Sequence, residues 1–239
     1  MLLKPPAEPI PIQEIPIYKN VKFFIKREDL IHPQISGNKY WKLFYNINSY
    51  LEKNPENPYI ITFGGAFSNH IAAVSAAGNL SGIPTLGIIR GEELQNKWRD
   101  NPTLLLAKRN GMNLKFVTRE EYRHKEKLTE FLHKEFPDAL IVPEGGTNKD
   151  AVEGVKMMLN DQTKDFDYLC TAVGTGGTVA GMAKFCEEDQ KVIGFNVVDD
   201  ASLENKILEL TSRQNFNLID SCFGGYGKIK DENIRFIND

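Results

Sequence analysis

The sequence predicts an α/β protein built on parallel sheets, and three observations carry that reading. Apolar runs of about four to eight residues, the length of a buried strand, recur along the chain. A helix-length stretch follows most of them, the alternation that places helices over parallel strands. Glycine-rich turns, Gly64-Gly65 and Gly174 to Gly177, stand directly after two of the apolar runs. Open sheets of this kind bind ligands beyond the carboxyl ends of their strands, so these turns are the places to search for chemistry.

Taken in order, the first 20 residues carry Pro5, Pro6, Pro9, Pro11 and Pro16, which predicts an extended segment without helix. Residues 21–26 follow as a short strand. A helix over 39–52 repeats Trp41, Leu43, Phe44, Ile47 and Leu51, and Asn54-Pro55 ends it. Strands are then expected at 59–63, 84–89, 114–117 and 140–142, with helices at 69–80, 102–109 and 119–135, the last a charged surface helix. Further along, a helix at 150–159 precedes a strand at 168–173 and a helix at 178–186. A strand at 192–198, a helix at 202–210 and a strand at 216–219 complete the pattern.

The composition narrows the function classes. A chain of 239 residues with 41% hydrophobic content has ample material for a core, and its 26% charged content is not that of a disordered chain. The net charge of −3, from 29 Lys+Arg against 32 Asp+Glu, gives no general attraction to nucleic acid or to an anionic membrane. Prolines interrupt the first residues before a signal-peptide core could form, and no run has the roughly 20 apolar residues of a membrane span. A soluble, cytoplasmic protein is therefore expected. Cys170, Cys186 and Cys222 are widely spaced and form no CxxC pair, so they read as idle thiols with no metal site.

Three constellations carry candidate chemistry. Ser36-Gly37-Asn38-Lys39 places a lysine at a helix start, where the positive end of the helix dipole disfavours a cation and favours the neutral, nucleophilic amine. On residues alone a surface lysine is the stronger reading of Lys39, and Lys42 is a second candidate. Gly64-Gly65-Ala66-Phe67-Ser68-Asn69-His70 joins a tight turn to a helix start whose hydroxyl and free N–H groups suit a carboxylate, with His70 available for proton work. The bland alternative is an N-cap serine followed by a structural histidine. Gly174-Thr175-Gly176-Gly177-Thr178 after an apolar strand forms a phosphate cradle. A dinucleotide fingerprint would need glycine at position 179, which is Val179. A P-loop would need GK[ST], whereas Gly227-Lys228 is followed by Ile229. A small phosphorylated ligand is favoured over a nucleotide.

In their order and spacing these motifs resemble the fold-type II, tryptophan synthase β-like, pyridoxal-phosphate enzymes. Within them the chain is similar to the 1-aminocyclopropane-1-carboxylate deaminase / D-cysteine desulfhydrase family. The resemblance rests on Lys26-Arg27-Glu28-Asp29-Leu30 with Ser36-Gly37-Asn38-Lys39, on Gly64-Gly65 with Ser68-Asn69-His70, on the Thr175–Thr178 loop, and on Gly224-Gly225-Tyr226-Gly227. It implies pyridoxal 5'-phosphate held by Lys39, which aligns with the cofactor lysine where Lys42 does not. It further implies Asn69 on the cofactor's ring oxygen, and Gly174, Thr175, Gly176, Gly177 and Thr178 around the phosphate. Ser68, Asn69 and His70 would meet the carboxylate of a small amino-acid substrate, and Tyr226 would stand near the ring. The implied reaction is deamination or α,β-elimination, most like that on D-cysteine, with 1-aminocyclopropane-1-carboxylate deamination as the alternative. A non-catalytic or incomplete cofactor-binding subunit, and a binding module for another phosphorylated metabolite, are the readings from other classes.

The resemblance also implies two parallel-sheet domains. Residues 46–145 would form the small one, and residues 1–45 with 146–239 the large one, with a homodimer as the assembly. The family's chains continue past Asp239 into PVYxGK-like and HTGG-like elements that this sequence lacks. The large domain is therefore expected to be cut short at its C-terminus, with an exposed core face. Phe67 and Ala72 stand where family members often carry glutamine and arginine, which makes the pocket mouth less polar.

Overall fold

The computed structural model describes residues 3–16, 20–222, 230–231 and 234–235. The chain divides into two compact units, Met1–Gly146 and Thr147–Asp239.

The first unit opens with an antiparallel pair, β1 (Ile12–Ile15) and β2 (Phe23–Lys26), in which Ile12 lies opposite Lys26 and Ile15 opposite Phe23. The sequence predicts β2 and an extended leading segment but no strand at β1. Pro11 and Pro16 flank β1, where the missing proline N–H interrupts no ladder. After α1 (Asn38–Glu52) come β3 (Ile60–Gly64), α2 (Asn69–Ser81), β4 (Thr85–Arg90), α3 (Pro102–Arg109) and β5 (Asn113–Val117). The short α4 (Arg119–Arg123), α5 (Lys125–Glu135) and β6 (Leu140–Val142) complete the unit. The four strands form one parallel sheet in the order β5-β4-β3-β6.

Both faces of this sheet are covered, as the unbroken apolar strands predict. Ile61, Phe63, Leu86 and Ile88 project to one face and pack with Val117, Tyr122 and Leu132. On the other, α2 packs against β3 and β4 and in turn against α3. The helix expected over 119–135 is broken at His124, whose backbone leaves the helical region at φ −100°, ψ 48°. Tyr122 and Leu132 both belong to the same core cluster. In one straight helix of 3.6 residues per turn they would point about 80° apart. That separation fits within the apolar stripe of a single helix, so burial of both does not by itself require the break.

The second unit contains α6 (Lys149–Val155), β7 (Tyr168–Val173), α7 (Gly177–Phe185), β8 (Lys191–Asn196), α8 (Leu203–Thr211) and β9 (Phe216–Asp220). The helix expected over 150–159 tightens after Val155 into a 3-10 turn, Lys156–Met158. The strands form a parallel sheet ordered β7-β8-β9. One face is packed: Leu169, Val173, Val192 and Phe216 are buried with Val179 of α7 and Ile207 of α8. The register puts Tyr168, Cys170, Phe195 and Ile219 on the opposite face, where all four stand exposed. The expectation of parallel sheets is met in both units, whereas coverage of both faces is met in the first sheet only. Among the described residues no helix is long and apolar enough to cross a membrane.

Candidate active site

The first unit brings two of the three constellations together, because α1, α2 and the turn Glu144–Gly146 after β6 pack on one another. Lys39 is the second residue of α1 and half-buried; its Nζ lies 3.4 Å from Oδ1 of Asn38. Burial pushes its amine below the usual lysine pKa, toward the neutral form an imine needs. No side chain caps the start of α1, so the dipole contribution argued from sequence is not offset by a capping oxygen.

Lys42 lies one turn further along α1 and is 1% exposed, with Nζ donating to the carbonyl of Gly145 at 2.6 Å. Burial, and then the neighbouring charge of Lys39, hold its pKa well below the ordinary lysine value. The motif makes Lys42 only a rival for the cofactor, whereas the folded chain buries it and bonds it to Gly145. The signal was available in Gly145-Gly146, a glycine pair after an apolar strand like Gly64-Gly65.

Ser68 caps α2, its Oγ accepting from the N–H of Ile71 at 3.3 Å. Gly64 permits this, since a Cβ there would lie 2.5 Å from Cγ1 of Ile71 and 2.9 Å from Oγ of Ser68. The bare backbone lets the helix start approach the strand end, and a side chain would push it away. Asn69 is exposed at the first position of α2, and Phe67 projects from the turn at 72% exposure.

His70 points elsewhere. The motif groups it with Ser68 and Asn69 on a carboxylate, but its ring is buried against β3, with Nε2 2.8 Å from Oγ1 of Thr62. Thr62 donates its only hydroxyl proton to the carbonyl of Val142, so toward His70 that oxygen accepts and Nε2 carries the hydrogen. Burial, then the charges of Lys39 and Lys42, push the imidazole pKa well below 6.5, against a smaller opposing effect of the Pro143 backbone. The imidazole is therefore neutral when folded, while the unfolded chain takes up a proton near pH 6.5. The stability this contributes is complete above pH 6.5 and is lost as pH falls toward the depressed folded value. Denaturant titrations between pH 6.5 and 5 should show wild type losing stability more steeply than His70→Gln. One site can add at most about 1.4 kcal/mol per pH unit; equal slopes in the two proteins would contradict the assignment.

The third constellation lies in the second unit. Gly176 adopts φ +82° as the residue before α7, and no side chain caps that helix. A Cβ on Gly176 would lie 2.7 Å from Cγ1 of Ile207, so the turn is closed to any other residue without movement. A Cβ on Gly174 would meet nothing within 4 Å, leaving open space beside the loop. Thr175 and Thr147 share a hydroxyl contact of 2.5 Å, and Thr178 is buried. An uncapped helix start beneath a left-handed glycine, with open space beside it, fits a phosphate group. The lowered amine of Lys39 fits an aldehyde. Tyr226 falls outside the described residues. Among those residues no group of three His, Cys, Asp or Glu side chains could hold a metal ion.

Comparison with known proteins identifies the family. The family model "Pyridoxal-phosphate dependent enzyme" matches residues 3–227. A bifunctional D-cysteine desulfhydrase/1-aminocyclopropane-1-carboxylate deaminase from Arabidopsis thaliana is 28% identical over 90% of this chain and 61% of its own. A provisionally named 1-aminocyclopropane-1-carboxylate deaminase from Pyrococcus horikoshii is 29% identical over 95% of this chain and 75% of its own. The chain thus spans about three fifths of the plant relative and three quarters of the archaeal one. A solved structure described as an ACC deaminase homologue superposes with a TM-score of 0.76 at 28% identity, covering 96% of this chain and 76% of the other. The fold is that of fold-type II pyridoxal-phosphate enzymes, and pyridoxal 5'-phosphate is the cofactor these relatives share. With a lysine amine eased toward neutrality, an uncapped glycine loop and a family match running through both, the chain belongs to the pyridoxal-phosphate dependent enzyme family.

Proposed function

We propose that the chain deaminates a small amino acid by pyridoxal-phosphate chemistry, with D-cysteine as substrate and pyruvate, ammonia and sulfide as products. The observation that carries the proposal is the half-buried, pKa-lowered amine of Lys39 on a helix, α1, that packs against α2, the helix Ser68 caps. In this reading Lys39 Nζ would hold the cofactor and would move the proton at the substrate's Cα. The bound cofactor supplies an electron-withdrawing ring that makes that Cα–H acidic. Ser68 Oγ and Asn69 take the substrate carboxylate at the start of α2, where the helix dipole favours an anion. His70 braces that loop from behind through Thr62. Backbone amides from Gly174 to Thr178 take the phosphate, Asn69 serves the ring oxygen, and Tyr226 assists near the ring.

The second reading is 1-aminocyclopropane-1-carboxylate deamination, favoured by the names of the archaeal relative and of the solved homologue. The two part on product. Purified chain supplied with pyridoxal phosphate should release sulfide and pyruvate from D-cysteine. Release of 2-oxobutanoate from 1-aminocyclopropane-1-carboxylate, with no sulfide from D-cysteine, selects the second reading. A chain that attaches the cofactor yet yields no 2-oxo acid from either compound overturns both in favour of a non-catalytic binding protein.

A further inference from the structure

The segment before the lysine carries a buried acid that none of these roles uses. Glu28 begins a 3-10 turn, Glu28–Leu30, two residues after β2 ends, and is 8% exposed. Its carbonyl accepts from the N–H of Gly37 at 2.9 Å and from that of Ile31 at 3.4 Å. Its Oε2 accepts from the indole Nε1 of Trp41 at 2.5 Å, while Oε1 lies 3.1 Å from Nζ of Lys26. Gly37 directly precedes α1 and Trp41 is its fourth residue. The two contacts therefore hold the helix start on either side of Lys39.

The N-cap position of that start is Gly37, which has no side chain to offer the helix's first N–H groups. Trp41 is 3% exposed, and without the carboxylate its buried indole N–H would lose this acceptor. Lys26 offsets the charge of the acid, so the brace is buried as an ion pair and not as a lone carboxylate.

We infer that Glu28 is a positioning residue for Lys39: through Gly37 and Trp41 it fixes the rotation and axial position of the first turn of α1, and with them the direction of the lysine amine. The inference rests on the proposed role of Lys39, whereas the brace is a property of residues 26–41 alone. Misplacement of a reacting group by about 1 Å can cost on the order of a hundredfold in rate, which is the effect such a brace prevents.

The test uses the full chain and measures how fast pyridoxal phosphate attaches to Lys39, by borohydride reduction and peptide mapping. Thermal unfolding controls for the fold. Glu28→Ala and Trp41→Phe should each slow attachment by about tenfold to a hundredfold. The double variant should be no slower than the worse single one, because both remove the same contact. Glu28→Gln, which keeps an oxygen for the indole, should recover much of the rate. Attachment at the wild-type rate in folded Glu28→Ala, or effects that simply multiply, would overturn the inference. If Glu28→Ala does not fold, Trp41→Phe decides, and a wild-type rate there overturns it. If wild type attaches nothing at Lys39, the role of Lys39 fails separately. The brace is then judged by hydrogen exchange of amides 37–41, where protection lost in Trp41→Phe and kept in Glu28→Gln supports it and unchanged protection in Trp41→Phe refutes it.

Discussion

Lys39→Ala should abolish cofactor attachment and reduce turnover by at least about a thousandfold, because one side chain supplies both the covalent anchor and the proton transfer at Cα. Lys42→Met should still carry the cofactor on Lys39. Both amines are pushed toward neutrality by burial, so pKa alone does not choose between them. Access does: Lys42 is 1% exposed and spends a hydrogen on Gly145, whereas Lys39 is only half-buried. Reduction with borohydride followed by peptide mapping reads the site directly. An adduct that survives Lys39→Ala and maps to Lys42 would reverse the assignment. Lys42→Met should also flatten a pH dependence. A lysine whose folded pKa lies well below 10.5 is protonated more readily in the unfolded chain, so wild-type stability rises with pH up to about 10.5 and the variant loses that rise.

The elements most legible in the sequence are those whose signals are local. Strands β3 and β4 are apolar runs with clear ends, Ser68 caps α2, and Asn101-Pro102 opens α3 with a capping oxygen followed by a proline at the first helical position. Strand β1 is hidden because its four residues alternate weakly between prolines. The break at His124 has no local signal, since residues 119–135 contain neither glycine nor proline. The candidate site divides the same way. Lys39, Ser68, Asn69 and the glycine loop could be named from motifs, since each sits at a helix start that the chain itself announces. The orientation of His70 depends on a strand hydroxyl at Thr62 and on what that hydroxyl donates to, Val142. The partner of Lys42 lies 103 residues away. Such contacts exist only once the sheet has assembled, and no spacing rule reaches them. The exposed face of the second sheet shows the limit of the strand pattern too. The strand pattern by itself predicts two covered faces, whereas Tyr168, Phe195 and Ile219 stand open, as the exposed core face implied by the family resemblance allows.

Gly176→Ala should cost both stability and cofactor affinity, and the two losses share one cause. At φ +82° a non-glycine residue is strained by about 1–2 kcal/mol. The new methyl would also sit 2.7 Å from Cγ1 of Ile207 and 3.3 Å from Cδ1 of Leu203, both on α8. Overpacking of a buried contact typically adds about 1–3 kcal/mol. The cheapest relief is for the turn to lift away from α8, which swings the amides of Gly177 and Thr178 at the uncapped start of α7. If those amides hold the phosphate, affinity for pyridoxal phosphate should fall by about tenfold to a hundredfold, equivalent to about 1.4–2.8 kcal/mol. Gly174→Ala separates strain from binding, because nothing lies within 4 Å of its added Cβ and its apoprotein should unfold at the wild-type temperature. Thermal unfolding of both variants, with and without cofactor, gives the comparison. A Gly176→Ala protein that keeps the wild-type melting temperature would refute the packing argument. One that is destabilised yet gains the full wild-type increment from cofactor would remove the loop from the phosphate site.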